Sequence, residues 1–419
     1  MKILIIGNGG REHALAWKIS QSTKCSQIFV APGNAGTQLD KNLTNINLTH
    51  LDAWLAFALK EQIDLTIVGP EAPLAEGVVD AFQAAGLKIF GPTKAATQLE
   101  SSKIFAKHFM RRHHIPTATF AEFDNKIAAH EYVNQQNAPI VIKADKLAGG
   151  KGVIVAQNIN DAHEAIENLL EPDSSILIEE FIEGEEASFI VLSDGKNILP
   201  LATSKDHKRL LDEDKGPNTG GMGAYSPAAI VTPEVHARIM REIINPTISG
   251  MDKENIPFTG FLYAGVMIDK KGNPKTLEFN CRLGDPETQP LLVRLKSDLL
   301  ELIESAIDKT LHQAETVWDR RPAVGVVLAS KGYPNQPETG FQITQLPDLE
   351  EGVQIFHAGT TCQNGQILTS GGRVLCVTAI GDTLKLARQR AYEVAEKISF
   401  SGKQMRHDIA LKSNSNKIS

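Results

Sequence analysis

The feature that most constrains the fold is the alternation of short apolar strands and helices in the first hundred residues. Apolar runs at residues 2–6, 27–30, 65–68 and 87–90 have strand character, and helical segments separate the first two and the last two. Strands that alternate with helices are typical of a parallel sheet with helices packed on its faces. The sequence therefore predicts an α/β fold that begins with a doubly wound parallel sheet.

Length and composition bound the class of protein. A chain of 419 residues with 42% apolar and 22% charged residues is long enough for several globular domains. The net charge of −7 argues against a general nucleic-acid or membrane-surface binder. No apolar run reaches transmembrane length. The four cysteines have no Cys-x-x-Cys spacing, which fits a reducing compartment and gives no support for a zinc site: Cys25, Cys281, Cys362 and Cys376. We expect a cytoplasmic location.

A polar strand face in the segment 266–290 is the strongest sign of chemistry. A turn divides this segment into two strands, and alternation places Thr276, Glu278, Asn280 and Arg282 on one face of the second strand. Hard oxygen ligands beside a guanidinium suit a Mg²⁺-bound polyphosphate next to an anionic substrate. The alternative is a solvated strand face, although the Arg-Leu-Gly-Asp-Pro-Glu run that follows favours a site.

A glycine-rich loop at residues 7–12 imitates a dinucleotide-binding fingerprint. It follows a strand and opens a helix, but Glu12 stands where the third glycine of Gly-x-Gly-x-x-Gly belongs. The next strand ends in residues 31–34 without an acid for a ribose diol. A nicotinamide site is therefore disfavoured. Backbone amides at a helix N-terminus still favour a phosphate, and a plain tight turn is the alternative.

Three further polar segments contain glycine. The loop 143–152 combines glycines and lysines between two predicted strands, but its spacing is not that of a Walker loop. Residues 179–188 read as an acidic strand-to-turn segment, for which a surface hairpin is an equally good interpretation. Residues 212–223 predict a mobile lid, and we expect His207, in the charge run before it, to lie on the surface.

Seven segments, in this order along the chain, resemble the phosphoribosylamine–glycine ligase family of ATP-grasp enzymes. They cover almost the whole chain: IIGNGGREHALAW, VGPEAPLAEGVVD, KADKLAGGKGV, IEEFIEGEEASF, SKDHKRLLDEDKGPNTGGMGAYSP, EFNCRLGDPETQP and TSGGRVLCVTA. One departure is Lys146, where the family usually has a small residue. The resemblance implies an N-terminal domain over 1–100, an ATP-grasp α+β region over 101–320 with a lid at about 120–190, and a small α/β domain over 321–419.

The resemblance also implies a reaction and its partners. We expect ATP-dependent ligation of glycine to 5-phosphoribosylamine through glycyl phosphate, which gives glycinamide ribonucleotide, ADP and phosphate. The expected cofactors are ATP and Mg²⁺ or Mn²⁺, with Glu278 and Asn280 as metal ligands. We expect a monomer that binds neither nucleic acid nor membranes.

The same resemblance assigns roles to residues. The expected catalytic residues are Arg282, Lys143 and Asp206. Those expected to bind ATP are Lys103, Lys143, Lys151, Gly152, Glu179, Phe181, Ile182 and Glu186. Those expected to bind the other substrates are Gly7, Asn8, Gly9, Gly10, Arg11, Glu12, Glu71, Asn218, Gly220, Gly221, Arg282, Asp285, Pro286 and Glu287.

Three alternatives stay open on the sequence. Another ATP-grasp carboxylate–amine ligase or carboxylase would share the nucleotide machinery but differ in the N-terminal loop and in residues 282–287. A nicotinamide-dependent oxidoreductase is weakened by Glu12 and by the missing ribose acid. A nucleotide-sensing protein without catalysis would have lost a metal ligand or a phosphate lysine, and this chain retains both.

Overall fold

A parallel five-stranded sheet forms the first part of the computed structural model, which describes residues 1–147 and 152–411. Its elements are β1 (Lys2–Gly7), α1 (Gly10–Ile19), β2 (Gln27–Pro32), α2 (Ala35–Leu39), β3 (Leu43–Asn45), α3 (Leu51–Glu61), β4 (Leu65–Val68), α4 (Glu71–Glu76), α5 (Val78–Ala84) and β5 (Ile89–Phe90). The strand order is β3-β2-β1-β4-β5, and every pair is parallel.

Alternation along β1 builds a core on each face of this sheet. Leu4 packs in one core with Trp54 of α3 and Phe82 of α5. Ile5 packs in the other core with Leu15 of α1. Each such buried side chain contributes about 1.5–3 kcal/mol. Helices on both faces confirm the predicted doubly wound sheet.

A second, antiparallel sheet follows in the next eighty residues. The elements are α6 (Gln98–Ser101), α7 (Lys103–Arg112), β6 (Phe120–Phe123), α8 (Lys126–Asn134), β7 (Ile140–Ala144), β8 (Val153–Ala156), α9 (Ile159–Leu169) and β9 (Ile176–Glu180). Its order is β6-β9-β7-β8. Ala129 of α8 and Ile166 of α9 pack in one core with Ile142 and Ile178 of the sheet, so the opposite face remains available for a ligand.

The glycine-rich segment after this sheet contains a hairpin and a buried strand, and the mobile lid over 212–223 stays a prediction. The elements here are β10 (Glu185–Asp194), β11 (Ile198–Pro200), β12 (Lys205–Asp206), β13 (Arg209–Leu211), β14 (Lys215–Asn218) and β15 (Gly223–Ser226). Strands β13 and β14 form a hairpin, and Met222 is fully buried. Gly223 is needed for close packing, because a Cβ there would lie 2.6 Å from the carbonyl oxygen of Gly325.

The predicted hairpin with its polar strand is present. It belongs to a group that comprises α10 (Pro233–Ile239), α11 (Asn245–Lys253), β16 (Thr259–Ile268), β17 (Pro274–Asn280), α12 (Thr288–Arg294) and α13 (Leu299–Ile307). Strands β16 and β17 pair antiparallel in a sheet of order β11-β10-β16-β17. The turn between them is fixed by the Asp269 carboxylate, which accepts from the amides of Lys271 and Asn273.

The last part of the chain consists of five strands and one helix. Its elements are β18 (Ala323–Ala329), β19 (Val353–His357), β20 (Thr360–Gln363), β21 (Gln366–Thr369), β22 (Arg373–Ile380) and α14 (Leu384–Lys397). The sheet order is β12-β15-β18-β22-β19, so two strands from before residue 321 join it. Within the described ranges, no helix is long and apolar enough to cross a membrane.

Candidate active site

A cavity of about 1150 Å³ lies between the open face of the β6–β9 sheet, strand β17 and the N- and C-terminal parts of the chain. It is lined by these predicted site residues: Arg11, Glu71, Lys103, Lys143, Gly152, Glu179, Phe181, Ile182, Glu186, Asp206, Asn218, Gly220, Glu278, Asn280, Arg282, Asp285 and Glu287. Seven others are not part of its lining, namely Gly7, Asn8, Gly9, Gly10, Glu12, Gly221 and Pro286. Lys151 lies outside the described residues.

Three lysines gather at one end of the cavity, which we call the nucleotide end. Helix α7 begins at Lys103 and places Lys107 one turn later on the same side. The ammonium groups of Lys107 and Lys143 lie 2.9 and 3.0 Å from the Glu179 carboxylate. Lys107 and Glu179 are both only 2% exposed. Burial lowers the pKa of Lys107 to about 8, although Glu179 favours its charged form.

The turn after β9 forms the side of the nucleotide end where adenine recognition is predicted. Phe181 and Ile182 follow the last strand residue and line the cavity, and the Phe181 ring is partly exposed. Gly184 packs the turn against β16, because a Cβ there would lie 2.5 Å from the carbonyl oxygen of Ile268. An exposed ring next to main-chain groups at a strand end can take a planar base.

Strand β17 carries the predicted metal ligands on the cavity wall. Glu278 and Asn280 both line the cavity, and the Glu278 side chain is 36% exposed. Burial opposes its ionisation, yet the cations of Lys208 and Lys143 hold the pKa of Glu278 below its ordinary value. The carboxylate is therefore ionised at neutral pH. No group of three or more His, Cys, Asp or Glu side chains in residues 1–147 and 152–411 is arranged to hold a metal ion.

One detail of the predicted strand face is wrong. A bulge in the β16–β17 pairing leaves Leu277 without an opposite residue, since Gly265 pairs with Glu278 and Val266 with Thr276. The extra residue reverses the alternation at that point. Leu277 therefore lines the cavity with Glu278, whereas Thr276 is fully buried away from it.

Arg282 lies at the other end of the cavity, which we call the acceptor end. Its guanidinium nitrogens lie 3.1 Å from the Glu71 carboxylate and 2.8 Å from that of Glu100. The second Glu100 oxygen accepts from the Cys281 amide at 2.6 Å. Burial raises the pKa of Glu100, and its charge is balanced mainly by Arg282. Arg282 therefore lines the cavity with its guanidinium already paired to the carboxylates of Glu71 and Glu100.

The N-terminal loop packs its glycines around Glu12. A Cβ at Gly7 would lie 2.3 Å from Glu12 Cγ, so only glycine leaves room for this side chain. The Gly9 amide donates to Glu12 at 2.6 Å and the Arg11 amide to Asp285 at 3.3 Å. Two of the amides that were predicted to favour a phosphate therefore already face carboxylates. The phosphate role of this loop stays a prediction.

Two acidic residues lie close together at the acceptor end. Ser188 donates to Glu287 at 2.9 Å, and Glu287 is almost completely buried. One oxygen of Asp206 is buried without a hydrogen-bond partner among the described residues. Burial and the nearby Glu287 raise the pKa of Asp206 well above its ordinary value. A cationic group that entered between these carboxyls would satisfy the unpaired oxygen and favour its ionised form.

The charged residues of the cavity that the sequence predictions missed include Glu100, Lys107, Lys208 and Arg373. Lys208 Nζ lies 2.5 Å from Glu186 and 3.6 Å from Glu278, so it joins a predicted ATP ligand to a predicted metal ligand. Arg373 donates to the carbonyls of Gly220 and Asp285 at 2.5 Å each. Lys107 could have been predicted, because it lies four residues after Lys103 on the same helix. Glu100 and Arg373 are recognisable only from tertiary contacts.

The expectation of a surface position for His207 is also wrong. Its amide donates to the Gly223 carbonyl at 2.9 Å, and its Nε2 accepts from the Ala410 amide at 3.3 Å. Burial, with the nearby Arg406 charge, lowers the pKa of His207 to about 4. It is a neutral residue held against the C-terminal part of the chain.

Comparison with known families gives three matches. Residues 1–100 match the phosphoribosylglycinamide synthetase N domain. Residues 101–288 match the ATP-grasp (A) domain of the same synthetase, and residues 323–412 match its C domain. These segments cover most of the chain in the order expected for one enzyme.

Similar sequences and solved structures agree with these family matches. A phosphoribosylamine–glycine ligase from Ralstonia nicotianae is 58% identical over 415 residues, which covers 98% of both chains. One from Neisseria meningitidis is 59% identical over 417 residues, or 98% of this chain and 99% of the relative. The crystal structure of phosphoribosylamine–glycine ligase from Thermotoga maritima has a TM-score of 0.82 at 35% identity and covers 98% of this chain and 100% of that one. A biotin carboxylase from Campylobacter jejuni, at 15% identity and a TM-score of 0.74 over 96% of this chain and 92% of that one, shares the fold alone. This chain belongs to the phosphoribosylglycinamide synthetase family of ATP-grasp proteins.

Proposed function

We propose that this protein uses ATP to join glycine to 5-phosphoribosylamine, with glycinamide ribonucleotide, ADP and phosphate as products. The observation that carries the proposal is the single cavity in which a lysine cluster, an acid–amide pair and an arginine lie together. Full-length similarity to phosphoribosylamine–glycine ligases supports the choice of substrates.

ATP binds at the nucleotide end in this proposal. The exposed Phe181 ring and the adjoining main chain take the adenine, while Lys103 and Lys143 face the phosphates. The predicted roles of Lys151 and Gly152 in ATP binding are part of this proposal, and Gly152 lines the cavity. Lysines in a partly dry cavity stabilise phosphate charge more strongly than they would in water.

Glu278 and Asn280 fit a divalent cation that accompanies the nucleotide. Both offer hard oxygen atoms on one exposed stretch of β17, and Glu278 is held in its ionised form. A Mg²⁺ ion commonly takes one or two protein ligands and completes its shell with water and phosphate oxygens. When bound, such an ion supplies charge neutralisation at the β- and γ-phosphates. We propose Mg²⁺, with Mn²⁺ as a possible substitute.

The reaction has two steps. The glycine carboxylate attacks the γ-phosphorus, so that an oxygen–phosphorus bond forms and the bond to ADP breaks. The amine of 5-phosphoribosylamine then attacks the acyl carbon; phosphate leaves, and the nitrogen loses one proton. Lys143 and Arg282 neutralise charge on the phosphoryl and carboxyl oxygens. Asp206 and Glu287 hold the glycine ammonium, which directs its carboxylate toward the γ-phosphate.

The acceptor binds beside the N-terminal loop. Arg11, Glu71 and Asp285 line this side of the cavity, and Asn218 and Gly220 line it as well. Arg373 joins Gly220 to Asp285 by donating to both carbonyls. The carboxylate of Glu71 can accept from ribose hydroxyls, while the guanidinium of Arg11 and any loop amide released by Glu12 or Asp285 can hold the phosphate. A neutral amine is already nucleophilic, so positioning and charge stabilisation carry most of the catalysis.

The test is ADP release from MgATP with glycine and freshly generated 5-phosphoribosylamine, each omitted in turn. The proposal predicts ADP only when both are present, in equal amount to glycinamide ribonucleotide. Turnover with another amine, or with bicarbonate in place of glycine, would assign a different ATP-grasp reaction. A cytoplasmic, monomeric enzyme is part of the proposal, and sedimentation of the purified protein tests the monomer.

A further inference from the structure

The end of the described chain packs against the segment that carries Lys208. We call residues 404–410 the C-terminal clamp. It is fixed to its own domain by Tyr392, whose hydroxyl donates to the Arg406 carbonyl at 2.7 Å and accepts from the Ile409 amide at 3.2 Å. The Gln404 amide adds a strand-like bond to Ala329 at 2.9 Å. The clamp therefore has a rigid base.

From this base, Arg406 reaches the β13–β14 hairpin. The side chain is only 1% exposed, and the neighbouring carboxylates keep its guanidinium charged. Its nitrogens bond Asp408 at 2.7 and 2.8 Å, Asp214 at 3.0 Å and the carbonyl of Arg209 at 3.1 Å. Asp408 in turn accepts from the Glu213 amide at 2.9 Å. A buried guanidinium with this many partners holds the hairpin in one place.

The clamp holds the residues on both sides of Lys208. On one side, the Ala410 amide donates to His207 at 3.3 Å. On the other side, Arg406 holds the Arg209 carbonyl. The Lys208 carbonyl itself accepts from the Thr219 amide at 2.7 Å, and Thr219 belongs to the loop that follows the hairpin. The main chain around Lys208 is thus fixed from the C-terminal end of the protein.

The position of Lys208 matters because its ammonium bridges two site residues. It lies between Glu186 and Glu278, and together these carboxylates raise its pKa well above the ordinary value in spite of burial. A permanent cation at that point sets the direction of Glu278, the proposed metal ligand. A displacement of about 1 Å in such a group is enough to cost about a hundredfold in rate.

We propose that the C-terminal clamp is a positioning element of the active site, and that Arg406 acts on the reaction through Lys208. The inference rests on the proposed ligase function, because that reaction makes the placement of Glu278 important. Loosening of the clamp leaves the lysines of the nucleotide end in place, so ATP still binds, but it misplaces Lys208. It also frees the β13–β14 hairpin, from which Arg209, Asp214 and Asn218 line the cavity, so that water enters. The acyl phosphate is then lost to hydrolysis in some turnovers.

The test compares Arg406→Ala, Arg406→Lys and Lys208→Ala with Arg390→Ala. Arg390 lies on α14 of the same domain and holds the carbonyls of Ile380 and Glu351, away from the cavity. We expect R406A to lower kcat by about a hundredfold with little change in KM for ATP. ADP should exceed product in this variant. R406K should recover part of the kcat and part of the coupling between ADP and product. R390A should keep the wild-type ratio of ADP to product.

A double variant separates a positioning role from a general loss of stability. If Arg406 acts through Lys208, R406A combined with K208A should lose no more activity than K208A alone. Additive losses would overturn the proposal. So would an R406A enzyme that loses activity only in proportion to its loss of folded protein, with ADP and product still equal.

Hydrogen exchange of the ligand-free protein gives a readout that needs no reaction. Amides of residues 207–219 should exchange faster in R406A than in the wild type or R390A. Unchanged exchange there would also overturn the proposal. Failure of the wild type to make glycinamide ribonucleotide would instead count against the proposed function, and the exchange comparison would still test the clamp.

Discussion

The two ends of the cavity use similar cations but pair them differently. At the nucleotide end, Lys107 and Lys143 share one buried carboxylate, Glu179, and Lys103 stands beside them with its ammonium on the Lys146 carbonyl. At the acceptor end, Arg282 alone is held by two carboxylates, Glu71 and Glu100. Among these groups, three lysines face one carboxylate at the first end, whereas one arginine faces two carboxylates at the second.

This difference shows how pairing decides what a cation can bind. An incoming polyphosphate supplies the negative charge that the nucleotide end lacks, so binding there relieves repulsion between lysines. The acceptor end has no such excess and suits partners with an ammonium or amine group, such as glycine. Residue type alone would not distinguish the two ends.

The largest effect should follow from removal of a lysine at the nucleotide end. We expect Lys143→Met to lower kcat/KM for ATP by about 10²- to 10³-fold, since a preorganised charge at the phosphates is lost. Steady-state ADP formation measures this, with thermal unfolding as a check on folding. Lys126→Met is the matched control, because Lys126 pairs with Glu167 at the surface and does not line the cavity. Equal losses of kcat/KM in both variants would mean that the effect does not depend on the position of Lys143 in the cavity.

Removal of the acid on β17 should come next. We expect Glu278→Gln to raise the Mg²⁺ concentration needed for half-maximal rate by about a hundredfold, because a neutral amide replaces an ionised ligand. Titration of activity with Mg²⁺ at saturating ATP measures the change. Glu254→Gln should leave the titration unchanged, since Glu254 pairs with Arg112 and does not line the cavity. A normal titration for E278Q would remove Glu278 from the metal site.

A smaller effect is expected from exchange of the acceptor-end arginine. Arg282→Lys loses the planar fork that serves Glu71 and Glu100 together, and we expect KM for glycine to rise about tenfold to a hundredfold. R282K should also lower thermal stability, because the buried Glu100 charge is less well balanced. Addition of Glu100→Gln removes that charge, so the double variant should regain thermal stability but keep the raised KM for glycine. Recovery of both would mean that Arg282 only neutralises Glu100.

The smallest effect is a pH dependence at the nucleotide end. Lys107 has a pKa of about 8 in the unliganded protein, and bound ATP raises this pKa by attraction. Binding then takes up part of a proton, so ATP affinity should fall as pH rises above about 8. Calorimetric titration of Lys107→Met with a non-hydrolysable ATP analogue should lack this fall. The same slope in both proteins would assign the titration to another group.

Local patterns allowed most of the fold to be predicted from sequence. Strand β1 and helix α1 follow from a short apolar run, three glycines and a helical repeat, all within twenty residues. Glycine has two uses, mobility and close packing, and sequence alone does not separate them. Gly223 serves close packing against Gly325.

The site was predictable where neighbours in sequence act together. Glu278, Asn280 and Arg282 share one side of the chain by alternation, and all three line the cavity. The bulge at Leu277 could not be foreseen, since it depends on how β17 pairs with β16. The partners of Arg282 were equally hidden, because Glu71 lies 211 positions away in the chain.

The central claim is that both ends of the cavity serve one reaction through an acyl phosphate of glycine. The most direct measurement is a turnover with glycine labelled by ¹⁸O in its carboxylate, followed by mass spectrometry of the released phosphate. We expect each phosphate to carry one oxygen from glycine, because that oxygen attacks the γ-phosphorus and leaves with it. Phosphate free of the label, with glycinamide ribonucleotide still formed, would exclude an acyl phosphate of glycine.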